Sequence, residues 1–320
     1  MSPNQSGESA FIAWLRKQTP AASRVLIGPG DDAASVAWPA GAPCLVTTDM
    51  LLEGSCFVLE GSPIQVHGVA PADPARVGRK AMAVNLSDIA AMAGRPVAAV
   101  VAVGLPRRGG RALAEALYQG MRQRADEFDT PIVGGDTNTW DGPLVLSITV
   151  FGEPGPGGVV RRDGARPGDL LVVTGSLGGS ILGKHLDFTP RIREAQQLAS
   201  LTHLRAMMDL SDGLAADLPK LCAESACGAV VWADAVPISD DARRMPDKKT
   251  PLEHALGDGE DFELLFAVPA AVARQLASAQ PIPGIRLSVI GECIEPPGLW
   301  LEVAGRRTPL PALGWEHALE

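Results

Sequence analysis

Carboxylates recur beside glycines, hydroxyl residues or small residues at the edges of apolar segments in this 320-residue chain. A single aspartate in such a place is most often only a helix cap. Six such segments in one chain instead predict a shared chemical site. They are Gly30-Asp31-Asp32-Ala33-Ala34, Thr47-Thr48-Asp49-Met50, Asn85-Leu86-Ser87-Asp88, Gly134-Gly135-Asp136-Thr137, Asp209-Leu210-Ser211-Asp212-Gly213 and Gly257-Asp258-Gly259-Glu260-Asp261-Phe262-Glu263.

The chemistry that these segments favour is the binding of divalent cations. Two unit charges 4 Å apart repel each other by about 4 kcal/mol at an effective dielectric constant near 20, so converging carboxylates need a cation between them. Carboxylate and hydroxyl oxygens suit Mg²⁺ or Mn²⁺ better than zinc or copper. Mg²⁺ commonly bridges carboxylates and phosphates, so the segments predict a polyphosphate held through metal ions, provided that they converge.

The segment from Asn85 to Gly94 is expected to open a helix, with Ser87 or Asp88 as the cap of its first turn. Gly94 would end that helix in a left-handed conformation. Asp88 would then lie at a helix start, where free N–H groups and the helix dipole favour anions.

Apolar periodicity and turn residues predict an α/β (α+β) protein of two domains. The run Glu153-Pro154-Gly155-Pro156-Gly157-Gly158 has linker composition, which divides the chain into residues 1–153 and 154–320. Residues 239–250 are expected to form a charged surface loop. Predicted helices cover residues 10–17, 74–91, 112–128, 210–221 and 270–279, and predicted strands cover residues 44–48, 97–105, 144–152, 169–174, 228–232, 263–268, 287–293 and 299–303.

The composition argues against several kinds of partner. A formal net charge of −9 repels nucleic acid and anionic lipid, and an aromatic content of 4% offers few platforms for stacked bases. The chain has no apolar run of the roughly 18 residues that a membrane span requires. Its five cysteines are odd in number and lack Cys-x-x-Cys spacing, which is typical of reduced thiols and predicts a cytoplasmic protein.

Two other motifs could bind phosphate. The run Gly178-Gly179-Ser180-Ile181-Leu182-Gly183-Lys184-His185 nearly matches a nucleoside-triphosphatase phosphate loop, but His185 replaces the hydroxyl that would hold Mg²⁺. We therefore expect a structural turn between a strand and a helix. Arg161 and Arg162 follow the linker, where either could bind a phosphate or form part of a solvated surface.

The order of the motifs along nearly the whole chain resembles the thiamine-monophosphate kinase family. The matching strings occupy residues 30–34, 47–51, 83–92, 133–137, 164–169, 209–214 and 259–265. The resemblance implies a two-domain fold of the aminoimidazole-ribonucleotide synthetase type. It implies an N-terminal domain that binds ATP and Mg²⁺ and pairs its sheet in a homodimer, and a C-terminal α/β domain that completes a cleft for ATP.

The resemblance also implies roles for individual residues. Expected catalytic residues are Asp49, Asp88 and Asp136. Expected Mg²⁺ ligands are Asp32, Thr47, Thr48, Asp49, Asp88, Asp136, Asp209 and Asp212. Expected ATP contacts are Tyr118, Gly135, Asp136, Arg162 and Ser211. Expected contacts to thiamine monophosphate are Cys56, Glu260 and Trp315. Cys56 departs from the family, which usually has histidine there, and a thiol is a weaker hydrogen-bonding group than an imidazole.

The expected reaction is direct in-line transfer of the ATP γ-phosphoryl group to the phosphate of thiamine monophosphate. The acceptor oxygen is already ionised near neutral pH, so no general base is needed. Metal ions would screen the repulsion between the two anions. Two alternatives stay open at this point: a sister ATP-using synthetase that activates a substrate oxygen, and a nucleotide- and metal-binding regulator without catalysis.

Overall fold

The computed structural model describes residues 14–15, 17–18, 22–27, 35–66, 68–107, 110–295 and 298–316. The acidic segment at residues 30–34 and most of the first predicted helix lie outside these ranges, although Trp14, Leu15, Lys17 and Gln18 are helical. The chain divides into two compact units: Met1–Ile89 with Arg95–Pro154, and Ala90–Gly94 with Gly155–Glu320. Across the described ranges, no helix is long and apolar enough to cross a membrane.

The first unit contains a four-stranded sheet in the order β3-β6-β4-β5 and a separate two-stranded sheet, β1-β2. Its elements are β1 (Val25–Ile27), β2 (Ser35–Val36), β3 (Leu45–Leu52), α1 (Pro74–Ala91), β4 (Gly94–Pro106), α2 (Gly110–Asp126), β5 (Ile132–Trp140) and β6 (Val145–Pro154). Strand β3 runs antiparallel to β6 with Asp49 opposite Ile148, and β4 runs parallel to β5 with Ala102 opposite Asp136. This register fixes where the acidic residues of β3 and β5 lie.

Helices α1 and α2 approach each other closely through two glycines. A Cβ atom at Gly78 would lie 2.1 Å from the Leu117 carbonyl oxygen, and one at Gly120 would lie 1.8 Å from the Ala75 carbonyl oxygen. Any larger side chain would push the two helices apart. The close contact holds α1, which carries Asp88, firmly in place.

The second unit is built on a seven-stranded sheet in the order β13-β12-β9-β11-β7-β10-β8. Neighbouring strands are antiparallel except β12 and β9, which are parallel. Its elements are β7 (Asp169–Thr174), α3 (Lys184–Asp187), α4 (Ile192–Leu201), β8 (Ala206–Asp209), α5 (Leu214–Glu224), β9 (Gly228–Trp232), α6 (Asp240–Arg244), α7 (Pro251–Gly257), β10 (Leu264–Pro269), α8 (Ala270–Ala279), β11 (Leu287–Ile294), β12 (Leu299–Val303) and β13 (Arg306–Pro309). All six residues of β7, an inner strand with β11 and β10 on its two sides, are buried, so this sheet forms the core of the unit.

The expected mixture of helices and strands in two sheets is confirmed, but three local expectations were wrong. Helix α1 begins at Pro74, so Asp88 lies in its last turn and not at a helix start. Ala93 takes the left-handed conformation, with φ +52°, in place of the expected Gly94. Residues 239–250 are not one loop, because Ser239 caps α6 and Thr250 caps α7 with a full capping box.

Candidate functional site

In the first unit, strand β3 and helix α1 bring the threonine–aspartate segment and Asp88 together. The Thr47 hydroxyl donates a hydrogen bond to Asp88 Oδ2. The Asp49 backbone N–H donates to Asn85 Oδ1 at 3.1 Å, and Asn85 Nδ2 donates in turn to the Ala81 carbonyl at 3.1 Å. The sequence pattern did not reveal this role of Asn85. Its spacing of three from Asp88 was the available signal, because residues three apart share a helix face.

The corrected position of Asp88 changes the electrostatics of this group. The last carbonyls of a helix lack intrahelical partners and carry the negative end of the helix dipole. Asp88 is half-buried in that last turn, so its charge adds to a field that attracts cations. A cation near Asp88 and Thr47 is therefore favoured by the helix as well as by the carboxylate.

The hydroxyl of Thr48 points toward strand β6. It donates to the Ile148 carbonyl at 3.1 Å and accepts a hydrogen bond from the Thr149 hydroxyl at 3.0 Å. The two neighbouring threonines of β3 thus have different partners, and only Thr47 contacts an acidic side chain through a hydrogen bond that the structure defines. A metal-binding role for Thr48 stays a prediction.

Strand β5 carries Gly135 and Asp136, and both are exposed. A Cβ atom at Gly135 would lie 1.9 Å from the Val101 carbonyl oxygen, so glycine is required here by the close approach of β4. Strands β6 and β4 separate β5 from β3, which corresponds to about 14 Å at the usual strand spacing. The sheet therefore does not place Asp136 beside Asp49 within one chain, and the ATP- and metal-binding roles of Gly135 and Asp136 stay predictions.

Tyr118 lies inside the first unit and is only 5% exposed. Its ring packs edge to face against Trp14, with 5.5 Å between the ring centroids. This placement shows a packing role, and the predicted contact to ATP stays a prediction. Asp32 lies outside the described residues.

In the second unit, three segments distant in sequence meet at the predicted ATP and substrate residues. The Glu260 N–H donates to the Ser211 carbonyl at 2.6 Å, and the Trp315 N–H donates to the Asp212 carbonyl at 3.0 Å. Asp209 ends β8 and is 4% exposed, whereas Trp315 is 56% exposed. The structure thus joins the Asp209–Asp212 segment to Glu260 and Trp315, two of the three predicted substrate contacts.

The carboxylate of Asp212 contacts a lysine that the sequence did not single out. Lys220 Nζ lies 2.5 Å from Asp212 Oδ2 and 2.9 Å from Asp217 Oδ1, and Asp217 Oδ2 accepts the Asp212 N–H at 2.9 Å. Burial raises the pKa of Asp217, although the Lys220 ammonium acts in the opposite direction. Lys220 therefore neutralises two carboxylates of α5 and the preceding loop.

The Gly-rich segment from Gly178 to Lys184 binds carboxylates of the chain itself. The Gly178 N–H lies 3.0 Å and 2.9 Å from the two carboxylate oxygens of Asp261, and the Gly179 N–H donates to Asp258 Oδ2 at 2.8 Å. Lys184 Nζ donates to Glu263 Oε1 at 3.0 Å. Internal side chains thus occupy the groups that a phosphate would need, in agreement with a structural turn.

The remaining two predicted site residues lie in turns. Arg162 is exposed, and its carbonyl accepts a hydrogen bond from the Ser225 hydroxyl at 2.6 Å. Cys56 is half-buried, and its carbonyl accepts a hydrogen bond from Lys80 Nζ at 2.7 Å. The buried Lys80 therefore fixes the backbone of the Cys56 turn, a contact that the sequence did not reveal.

The donor groups of these residues decide whether Mg²⁺ fits. In the ranges that the structure describes, no three His, Cys, Asp or Glu side chains form a metal-binding cluster. Mg²⁺ does not require such a cluster, because it usually takes one or two carboxylates and completes its shell with waters and phosphate oxygens. The Thr47–Asp88 pair and the Asp209–Asp212 segment offer oxygen donors of this kind, so the residues fit Mg²⁺.

Each of the two units matches the model of a known protein family. The family model "AIR synthase related protein, N-terminal domain" matches residues 30–153, and "AIR synthase related protein, C-terminal domain" matches residues 166–303. A thiamine-monophosphate kinase of Rhodopirellula baltica is 38% identical over 309 residues, which are 93% of this chain and 92% of that protein.

Solved structures show the same similarity. A thiamine-monophosphate kinase from Stenotrophomonas maltophilia K279a is 32% identical with a TM-score of 0.76, covering 93% of this chain and 97% of that one. A structure described as "AaThiL complexed with AMPPCP and TMP" is 28% identical with a TM-score of 0.72, covering 99% of both chains. The similarity thus extends over both units.

Proposed function

Because the chain belongs to the thiamine-monophosphate kinase family, we propose that it transfers the γ-phosphoryl group of ATP to thiamine monophosphate. The products would be thiamine diphosphate and ADP. The observation that carries the proposal is the joining of Ser211 and Asp212 to Glu260 and Trp315 by backbone hydrogen bonds. Predicted nucleotide and substrate contacts thereby share one rigid framework.

The proposal gives each group of residues a task. In the first unit, cations would be held and oriented by Thr47, Thr48 and Asp49 of β3, by Asp88 of α1, and by Asp136 of β5 in the same sheet as β3. In the second unit Asp209 and Asp212 would do the same, Ser211 and Arg162 would bind the nucleotide, and Glu260 and Trp315 would bind the thiamine part. Mg²⁺, when bound, would screen the negative charge of the two phosphate groups as they approach. No side chain has to remove a proton, because the acceptor phosphate is already ionised.

Incubation of the purified protein with ATP, MgCl₂ and thiamine monophosphate tests the proposed reaction. We expect thiamine diphosphate and ADP in equal amounts, measured by chromatography. A sister synthetase would consume ATP without forming thiamine diphosphate, and a non-catalytic regulator would bind the nucleotide without consuming it. Omission of MgCl₂ with added EDTA serves as the control and should stop product formation.

A cytoplasmic location stays a proposal, which the five free cysteines support.

We further propose a homodimer formed through the sheet of the first unit. Val46, Met50 and Leu52 alternate along the edge strand β3 and are 59%, 61% and 40% exposed. A row of exposed apolar side chains on a strand at the edge of a sheet is unfavourable in water unless a partner covers it.

The substitution Met50→Lys is expected to weaken the proposed dimer, because a charged side chain would be buried in the interface. Sedimentation velocity should show twice the chain mass for the unmodified protein and the single-chain mass for the variant at the same concentration. The control is Val303→Lys on β12, a residue 46% exposed in the other unit, which should not change the mass. A single-chain mass for the unmodified protein would contradict the proposal.

Lys220→Met is expected to tighten the binding of Mg²⁺ or Mn²⁺ to the protein. The Lys220 ammonium occupies Asp212 Oδ2, which the proposal assigns to a metal ion, so the two cations compete. The Lys220 side chain is 44% exposed, so solvent screening limits the gain to about 1 kcal/mol, which is roughly fivefold in affinity. Calorimetric titration of the nucleotide-free protein measures it.

Lys249→Met provides the matched control for this titration. Lys249 is 50% exposed, and its Nζ lies 3.4 Å from Asp258 Oδ1 in the same unit. Loss of this positive charge changes the overall charge of the protein equally but leaves Asp212 untouched. Equal tightening in both variants would show a general charge effect and would contradict direct competition at Asp212.

A further inference from the structure

The backbone around Glu260 has an unusual conformation. Gly259, Glu260 and Phe262 have φ values of +73°, +53° and +49°. Glycine adopts such values without cost, but residues with a Cβ atom are destabilised there by about 1 kcal/mol or more each. Two strained residues therefore flank Asp261, and contacts from outside the segment must hold them.

The hydrogen bonds that hold this segment come from two other parts of the second unit. On one side, Glu260 N–H and Phe262 N–H donate to the carbonyls of Ser211 and Leu210 at 2.6 Å and 2.8 Å. On the other side, the Ser180 hydroxyl donates to the Gly259 carbonyl at 2.6 Å. The segment thus lies between the Asp209–Asp212 loop and the Gly-rich turn.

The Asp261 carboxylate fixes the segment to the Gly-rich turn. It is 2% exposed, both of its oxygens lie within 3.0 Å of the Gly178 N–H, and Lys184 Nζ lies 3.7 Å from Oδ1. An asparagine could accept the Gly178 N–H with its single oxygen. Its NH₂ group is a donor and cannot accept from the other partner. An asparagine could therefore satisfy only one of the two donors, the Gly178 N–H or the Lys184 ammonium.

We propose that Asp261 is a positioning residue that holds Glu260 in its orientation toward thiamine monophosphate. The inference rests on the proposed function, since Glu260 is there the contact to the thiamine part. A carboxylate buried beside Asp258 and Glu263 is an expensive way to join two loops, because burying a charge near others of the same sign is unfavourable. A joint that only had to hold the Gly178 turn would be served as well by an amide, because one oxygen is enough to accept the Gly178 N–H. The carboxylate can bind the Gly178 turn and Lys184 at the same time. These two contacts restrict the motion of the strained Glu260 backbone.

The test compares Asp261→Asn with the unmodified protein in steady-state kinetics and in hydrogen exchange. In the proposed function Glu260 contacts the thiamine part and not the transferred phosphate, so its misplacement would weaken binding throughout the reaction. We expect the KM for thiamine monophosphate to rise about tenfold, with kcat within about threefold of the unmodified value. Mass spectrometry should show faster amide exchange in the peptide that contains residues 257–264.

The control is Asp169→Asn, a second buried aspartate that accepts a backbone N–H, from Arg166 at 2.9 Å. It lies at the start of β7, whereas the Gly-rich turn follows the end of that strand. This variant should leave KM and the exchange of residues 257–264 unchanged. A KM for Asp261→Asn within twofold of the unmodified value would overturn the proposal.

The experiment also separates failure of the inference from failure of the proposed function. If the unmodified protein forms no thiamine diphosphate, the proposed function is wrong and the kinetic comparison is void. The exchange measurement does not depend on activity. In that case faster exchange in Asp261→Asn supports the positioning of the Glu260 backbone by Asp261, and unchanged exchange overturns it.

Discussion

Asp88→Asn is expected to lower kcat by about two to three orders of magnitude while leaving the fold intact. The carboxylate charge would be lost from a cation site, and losses of this size are typical when a preorganised charge is removed from a phosphoryl-transfer site. The fold should tolerate the change, because the asparagine oxygen can still accept the Thr47 hydroxyl. Removal of a negative charge from the last turn of α1 should even favour the helix slightly. Steady-state kinetics at saturating MgCl₂ and thermal unfolding measure the two effects.

Asp126→Asn is the matched control for this substitution. Asp126 is the last residue of α2 in the same unit, and its side chain is 51% exposed. Like Asp88, it lies in the last turn of a helix, but the proposal gives it no ligand. We expect unchanged kcat for this variant. Equal activity of Asp88→Asn and the unmodified protein at saturating MgCl₂ would refute the assigned role of Asp88.

The sequence predicted that Asp88 and Thr47 share a site, but it did not predict where Asp88 lies in its helix. The strings around Thr47 and Asp88 indicated a common site, and the hydrogen bond between these residues agrees with that. The helix start expected near Asp88 was wrong because Ser87 and Asp88 satisfy capping rules locally, whereas burial continues without a break from Lys80 to Ser87, within the helix expected over residues 74–91. Local capping chemistry is a weaker signal than a long buried face.

The acidic segment from Asp258 to Glu263 shows what the sequence could not resolve. Four carboxylates within six residues all looked suitable as ligands, but Asp258, Asp261 and Glu263 bind the Gly-rich turn, Lys184 and Arg191 of the same unit. Their partners are about 70 to 80 residues away along the chain, so no local pattern identifies them. Only the resemblance distinguished Glu260 from its neighbours. The two sheets, in contrast, followed from apolar runs and turn residues, which are local signals.

Asp261→Asn is expected to stabilise the protein at neutral pH, even though it should weaken substrate binding. Burial raises the pKa of Asp261 from 3.8 to about 7, against the opposing effects of Lys184 and the Gly178 N–H. Between these pH values the folded state keeps a proton that the unfolded chain has lost, so the stability of the unmodified protein falls as pH rises. The loss is complete above about pH 7 and amounts to about 4 kcal/mol at most. Asparagine does not titrate, so it escapes this loss.

The measurement is the difference in Tm between Asp261→Asn and the unmodified protein from pH 4 to pH 8, which should grow with pH and level off above pH 7.

Glu263→Gln supplies a control of opposite sign. Burial acts to raise the pKa of Glu263, but hydrogen bonding to Arg191 and the charge of Lys184 lower it overall. The ionised Glu263 therefore stabilises the fold above its unfolded pKa, and this contribution is lost as pH falls. Glu263→Gln should be less stable than the unmodified protein at neutral pH, and the gap should narrow toward pH 4. A residue kept for positioning is expected to be unfavourable for folding and necessary for binding. If Asp261→Asn instead lost stability at pH 8, the carboxylate would favour folding and would be a structural joint.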